Sequence, residues 1–344
     1  MSLAIAGHAQ DDFKAWITAR SLVVVGDGSD LGLPSHGHDP VEENYLQSLE
    51  LGINFEAFGW LSGFANVNTF NVDDLELETE QEEWFLKASN LPYGLEFRGG
   101  QILNRIGTQN NVHQHGWDFV DANLSTIHFL GEEGITTRSG EVSLFHELDA
   151  GLIGFSAALG EVAPHEEEEE EEGGIEIAEF EDTVFTFRGL LRYNFSDYHQ
   201  NQIGLNYLSA SGEEGGDVDL FGIDYTYTWR ANGLEGGGDS FTASVEYFNF
   251  SNEEADLGSV FVDAHYNWDN GFGLGARYEW IEFLLDEEEQ SRQRFSLAGS
   301  YHYQINEDWT HTTRLQYNNN TSDIGDDDEI WLQVGFSYGG AEIR

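Results

Sequence analysis

Two groups of side chains in this 344-residue sequence have types and spacing that could do chemistry. The first is a set of charges at alternate positions of strand-like segments. It comprises Arg20, Arg98, Arg188, Arg192, Arg277, Arg292, Arg294 and Arg314, with the acids Asp224, Glu246, Asp263 and Glu279 on the same polar phase. Strand side chains point alternately to two faces, so each charge shares its face with polar neighbours and leaves the other to apolar ones. Lining water, opposed basic and acidic walls would set up a transverse field that orders water and screens solutes by polarity. Paired with one another, the same groups would be structural salt bridges.

The second group is His113-Gln114-His115 with Asp118 and Asp121, flanked by Arg105 and Trp117 and followed by His128. Imidazole and carboxylate are ordinary zinc ligands, so His113 and His115 are a candidate metal pair, and zinc or calcium are the ions that acidic and His-bearing loops would take. His-x-His in a loop lacks the fixed geometry of a helical zinc motif, and hydrogen-bonded anchoring is the competing reading. His36 and His38 with Asp39 form a weaker cluster of the same kind. There is no Gly-x-Ser-x-Gly nucleophile motif, and Cys is absent, which removes disulfides and thiolate sites. Neither catalysis nor an obligatory cofactor is expected.

The elements that must carry these residues are strands. Phe221, Ile223, Tyr225, Tyr227 and Trp229 alternate with Gly222, Asp224, Thr226 and Thr228. The same pattern sets Leu274, Ala276, Tyr278 and Trp280 against Arg277 and Glu279, and Leu332, Val334, Phe336 and Tyr338 against Gln333 and Ser337. Roughly sixteen such segments run from 12–25 to 328–338, with 78–88 as one of them, separated by Gly, Asn, Asp and Glu clusters. An oily face on nearly every strand opposite an ionic one fits a closed barrel in lipid better than a soluble sandwich. The expected fold is therefore all-β, a single closed antiparallel transmembrane barrel over residues 10–344. Phe221, Tyr225, Leu274, Tyr278, Leu297 and Val334 should face lipid. Trp229, Trp268, Trp280, Trp309 and Trp331 would join the interfacial girdles.

Composition agrees. Aromatic residues make up 14% of the chain and Pro only 4 positions, a β-rich profile. The longest apolar run, Leu22-Val23-Val24-Val25, stops at Gly26, so no segment reaches the roughly 20 residues of a membrane helix. A net charge of -50 excludes general nucleic-acid binding. Much of that charge lies in short runs such as Glu166 to Glu172, which read as solvated loops or as a device for collecting cations. Residues 1–9 read as the remnant of a secretory signal. Two long segments interrupt the strand pattern, an acidic loop at 161–180 and the stretch 104–133. The latter is rich in aromatic and polar anchors, and a folded, inward constriction loop is expected there.

The runs Leu91-Pro92-Tyr93-Gly94-Leu95-Glu96-Phe97-Arg98-Gly99-Gly100-Gln101, His113-Gln114-His115-Gly116-Trp117-Asp118-Phe119-Val120-Asp121 and Phe129-Leu130-Gly131-Glu132-Glu133-Gly134, with the ending from Trp331 to Arg344, resemble a family of outer-membrane proteins often labelled zinc-regulated receptors. They are distantly similar to phosphate-selective porins. The resemblance covers about a fifth of the chain. It implies a bacterial outer-membrane barrel that handles small solutes or divalent ions. Two departures stand out: seven Glu follow Pro164-His165 where the family carries His-rich inserts, and six residues follow Tyr338 where barrels commonly end on an aromatic residue. The label implies energy-coupled uptake, but a plug domain with a 22-stranded barrel cannot fit in this length. Passive diffusion of small hydrophilic solutes or ions is the better fit, with an anion- or phosphate-selective porin as the alternative and an adhesive barrel behind it. By analogy of architecture the partners are outer-membrane lipid and two further copies in a homotrimer. Acidic mouths should give a weak cation preference at low salt, fading as salt rises, with a modest dependence on divalent metal.

Overall fold

The computed structural model describes residues 13–27, 44–71, 77–131, 134–163, 175–176, 180–212, 217–252, 255–285 and 288–343. The expected signal remnant, the cluster of His36, His38 and Asp39, and most of the 161–180 loop lie outside the described residues.

Eighteen strand segments follow one another: β1 (Phe13–Asp27), β2 (Asn44–Ala57), β3 (Leu61–Asn71), β4 (Leu77–Glu80), β5 (Trp84–Ala88), β6 (Leu95–Leu103), β7 (Thr136–Leu148), β8 (Gly151–Val162), β9 (Ile175–Glu176), β10 (Phe180–Ser196), β11 (His199–Gly212), β12 (Asp217–Arg230), β13 (Ser240–Ser251), β14 (Asp256–Asn267), β15 (Phe272–Leu285), β16 (Glu288–Gln304), β17 (Trp309–Ser322) and β18 (Gly325–Tyr338). Among the described residues one α-helix, α1 (Leu124–Leu130), interrupts them between β6 and β7. β1 pairs with both β2 and β18, which closes the sheet. β4 and β5 both pair with β3 and form one interrupted stave, while the two-residue β9 pairs with the end of β15. The ring therefore has sixteen antiparallel staves. Closure leaves no unpaired edge, the condition for a sheet to cross lipid. The connections at the end bearing the chain termini are all short, none longer than nine residues, whereas the three longest, β1 to β2, β6 to β7 and β8 to β10, all lie at the other end, the arrangement of short periplasmic turns and longer extracellular loops.

The alternation resolves as expected. Phe221 is 51% exposed on the outside while Asp224 on the same strand is 1% exposed within. Tyr225, Leu274, Tyr278 and Leu297 are likewise exposed, and Val334 is half-buried on that phase. So many exposed large apolar side chains are compatible only with lipid around them. At the short-turn end Tyr266 meets Trp268 at 4.9 Å, Phe272 meets Tyr301 at 4.8 Å and Trp309 meets Tyr338 at 5.1 Å, forming an aromatic belt.

Three features differ from the sequence reading. The expected strand 78–88 breaks at 81–83. Continuous alternation would send one of the adjacent Glu82 and Glu83 toward lipid, whereas the break lets both carboxylates reach His113 on the inside, at 3.2 and 3.3 Å. Trp331 does not belong to the girdle. It shares the phase of Gln333 and packs inside against Val24, Tyr45 and Val120. Finally, the residues after Tyr338 turn inward. Trp16 Nε1 donates to the Ala341 carbonyl at 3.1 Å, Arg20 to Gly340 O at 3.0 Å, and Ile343 N to Asn54 Oδ1 at 2.9 Å, seating Ile343 against Phe64, Phe85, Ile102 and Ala158.

Candidate functional site in the barrel interior

The segment between β6 and β7 bonds to the inward side chains of strands right round the barrel. Gly107 lies in the left-handed region at φ 63, and a Cβ there would fall 2.7 Å from Glu246 Oε2. Glycine thus permits the turn in which Gly107 N donates to Asn206 at 3.1 Å and Thr108 N to Glu246 at 2.6 Å. Farther on, Gln47 donates to the Val120 carbonyl and Gln316 accepts from Val120 N, both at 2.7 Å. Glu279 accepts the backbone N–H of Leu124 at 2.7 Å, capping the first turn of α1 from the barrel wall.

Asp121 is the hub. It is 0% exposed, and its oxygens meet Arg277 at 2.6 Å, Arg294 at 2.8 Å, Gln316 at 2.6 Å and Asn318 at 2.9 Å. Glu279 completes the network by bridging the Nε atoms of Arg277 and Arg294 at 3.0 and 2.7 Å. Arg314 donates to the carbonyls of Trp117 at 2.7 Å and Phe119 at 3.1 Å. Arg292 is fully buried beside Asn320. The sequence pattern turns all twelve wall charges to the inner face, where lining water is one of their two possible roles. Arg277, Glu279, Arg292, Arg294 and Arg314 are instead buried, and four of them hold the segment. Glu246 and Asp224 are buried as well, Asp224 behind Arg188 at 2.9 Å.

His113 and His115 stack with centroids 6.0 Å apart, and each ring is engaged by carboxylates. His113 reaches Glu82 and Glu83, while His115 Nδ1 lies 3.0 Å from Glu50 and Nε2 3.7 Å from Glu342 of the inward-turned tail. Burial disfavours a charged His113 ring, but the carboxylates of Glu82, Glu83 and Glu50 outweigh it and hold the imidazole well above its ordinary value. The ring is then an imidazolium with both N–H groups committed. His128, in α1, is elsewhere, stacked on Phe283 of β15, and burial with Arg292 and Arg294 pushes its imidazole down to about 3.

A pH effect follows. Because the folded value of His113 is raised, its anchoring is fully present below the ordinary imidazole pKa of about 6.5 and fades as pH rises through the folded value. In single-channel records, fluctuation of the segment should therefore increase toward alkaline pH and lose most of that dependence in His113→Gln. Identical pH profiles for both proteins would refute the link.

Two cavities flank the segment. The inner one, about 780 Å³, is bordered by Lys87, Arg98, Arg105, Arg188 and Arg192, and across the lumen by Asp118 and Asp263. The outer one, about 250 Å³, is bordered by Glu78, Glu80 and Glu82 with Arg138. Val112 and Trp117 border both cavities, and the Trp117 Nε1 bond to the Val112 carbonyl, 2.8 Å, ties the two together.

Several partners escaped the sequence reading: Glu50, Glu83, Glu141, Glu342 and His265. Extending the alternation would have found His265, two positions from Asp263 on one inward face. Equally unforeseen is the apolar inner lining at the long-loop end, where Leu208, Leu220, Phe248, Phe250, Leu257 and Ile281 pack against Leu124, Phe129 and Leu130. Strands with a polar inner face at mid-height become apolar on both faces there, to receive α1.

No family model matches the chain, and no curated protein matches its sequence. Among solved structures it is similar to an anion-selective porin from Comamonas acidovorans, with TM-score 0.56 and 12% identity over 95% of this chain and 99% of that one. The outer-membrane channel DcaP of Acinetobacter baumannii gives 0.56 and 12% over 97% and 100%. OmpT, an outer-membrane protein of Vibrio cholerae, in a trimer form, gives 0.53 and 12% over 95% and 99%. These likenesses establish the fold. With the apolar exterior they place the chain in a bacterial outer membrane.

Proposed function

We propose that the chain is a passive porin for small hydrophilic solutes and ions, with residues 104–133 as its constriction. The observation that carries this reading is the pair of cavities that meet at Val112 and Trp117 inside a closed barrel. Solutes would pass an acidic outer chamber, narrow at Trp117, and enter a chamber with a basic wall facing an acidic one. Folded protein should give ohmic single-channel currents in planar bilayers, and Trp117→Ala should raise the conductance by up to about twofold, as a ring is removed from the narrowest point. Properly folded protein that passes no current, or hydrolysis of lipid or peptide by the pure protein, would overturn the reading.

Acidic loops at the mouth favour a weak cation preference at low salt. A second reading, anion preference, is favoured by the inner chamber: five of the chain's 14 basic residues border it, against few of its 64 acids. Most of these cations are paired, Lys87 with Glu96 at 3.2 Å, Arg98 with Glu83 at 3.6 Å and Glu141 at 3.1 Å, Arg105 with the same Glu141 at 3.3 Å, and Arg188 with Asp224. Arg192 reaches only the Gln202 amide oxygen among its described bonds, at 3.1 Å. Arg192→Glu should therefore shift the reversal potential in a salt gradient toward cations. A wild-type reversal potential on the anion side at low salt would favour the second reading. The homotrimer, proposed with the trimer form of the Vibrio cholerae protein as support, is tested by the mass of the detergent-solubilised particle.

A further inference from the structure

The His113 and His115 rings, the metal pair suggested by sequence, each lie among carboxylates, His113 with Glu50 and Glu82 and His115 with Glu50 and Glu342, and each of these rings already has a carboxylate partner aligned with it. A different cluster borders the inner chamber. Asp263 and His265 lie two residues apart on the inward face of β14, both more than nine-tenths buried, and Asp118 reaches toward them from the inward segment with a side chain 64% exposed. His265 Nε2 is 2.7 Å from Asp263 Oδ2 and 3.9 Å from Asp118 Oδ2, and one donor atom from each of the three residues lies within 4.8 Å of the others.

Two details indicate that this is more than an ion pair. Although 2.7 Å apart, the His265 nitrogen and Asp263 oxygen are not aligned as a hydrogen bond, and His265 Nε2 and Asp263 Oδ1 are buried without a hydrogen-bond partner. Two donors side by side, neither aimed at the other, is the arrangement of ligands that face a common ion. The cation that cross-strand pairing would offer is also diverted: Arg277, opposite Asp263, gives its guanidinium to Asp121 and Glu279. The imidazole is held in place. Phe119 packs edge-on against it at 5.0 Å, and Gly275 across the sheet leaves its space free, since a Cβ there would lie 2.6 Å from Nδ1.

We infer that Asp118, Asp263 and His265 bind a divalent transition-metal cation of the zinc class in the inner chamber. One imidazole with two carboxylates suits zinc, cobalt or nickel, while calcium wants six to eight oxygens. Three protein ligands leave the remaining positions open to the chamber, so the ion can exchange, which makes this a site of transit or block. The effect on current rests on the porin reading; the binding does not.

The test uses the full chain, folded in detergent. Added Co2+ should produce a visible ligand-field band that is lost in His265→Ala and in Asp118→Asn, the latter a change at an exposed side chain that should not disturb folding. In bilayers, micromolar Zn2+ should reduce wild-type conductance at least about twofold and leave both variants much less affected. A band that survives both substitutions, or a block that vanishes instead in a His115 variant, would overturn the inference. The expected band in a protein that conducts no ions would uphold the site and overturn the porin reading.

Discussion

Excising residues 105–134 and joining the ends with a short turn is expected to raise single-channel conductance several-fold while the barrel stays closed. Leu103 and Thr136 are already cross-strand partners, so a short hairpin turn can replace the segment without moving β6 or β7. The ladder that holds the staves together does not include the segment, and sixteen staves alone enclose an aqueous channel. What is lost is the packing of Leu124, Phe129 and Leu130 on the inner apolar lining, which would then meet water, together with Asp121, whose partners Arg277 and Arg294 would then be solvated by the lumen; both lower stability without opening the ring. Removing the waist at Trp117 should also weaken ion preference, because wall charges then act through a wider, better screened lumen. Conductance equal to wild type would sink the assignment of this segment as the constriction.

Replacing Asp121 with Leu should release the segment without deleting it. Two guanidinium groups, Arg277 and Arg294, would lose a buried partner, and Gln316 and Asn318 would lose an acceptor. Leaving a buried charge uncompensated costs about 3–5 kcal/mol, which favours displacement of the segment by a factor of at least about 100. Glu279 still bridges the two arginines, so the effect belongs at the lower end of that range. The expected record is a flickering channel with a large-conductance substate absent from wild type. Asp121→Asn, which can still accept from Gln316, should fall between the two. A quiet channel with unchanged conductance in Asp121→Leu would show that the hub does not hold the constriction.

The sequence by itself determined the sheet and its two faces. A period of two needs no tertiary information: Tyr225 and Tyr278 had to face away from Asp224 and Glu279, and with charges inside, the oily side could only meet lipid. The same phase put the arginines inward and marked 104–133 as foreign to the strand pattern. Which inward charges touch water was beyond its reach. That is settled by the meeting of Asp121 with Arg277, Arg294, Gln316 and Asn318, residues more than 150 positions away, brought together only by the closed ring and the path of the inward segment. Pairing distance is also why Trp331 and the Glu82 and Glu83 break were misplaced: each answers to a partner on the segment or across the lumen. Alternation is a local property of the backbone and is written residue by residue. Burial, neutralisation and ligand geometry inside a barrel depend on what the opposite wall and the inserted segment present, and only the assembled tertiary structure decides that.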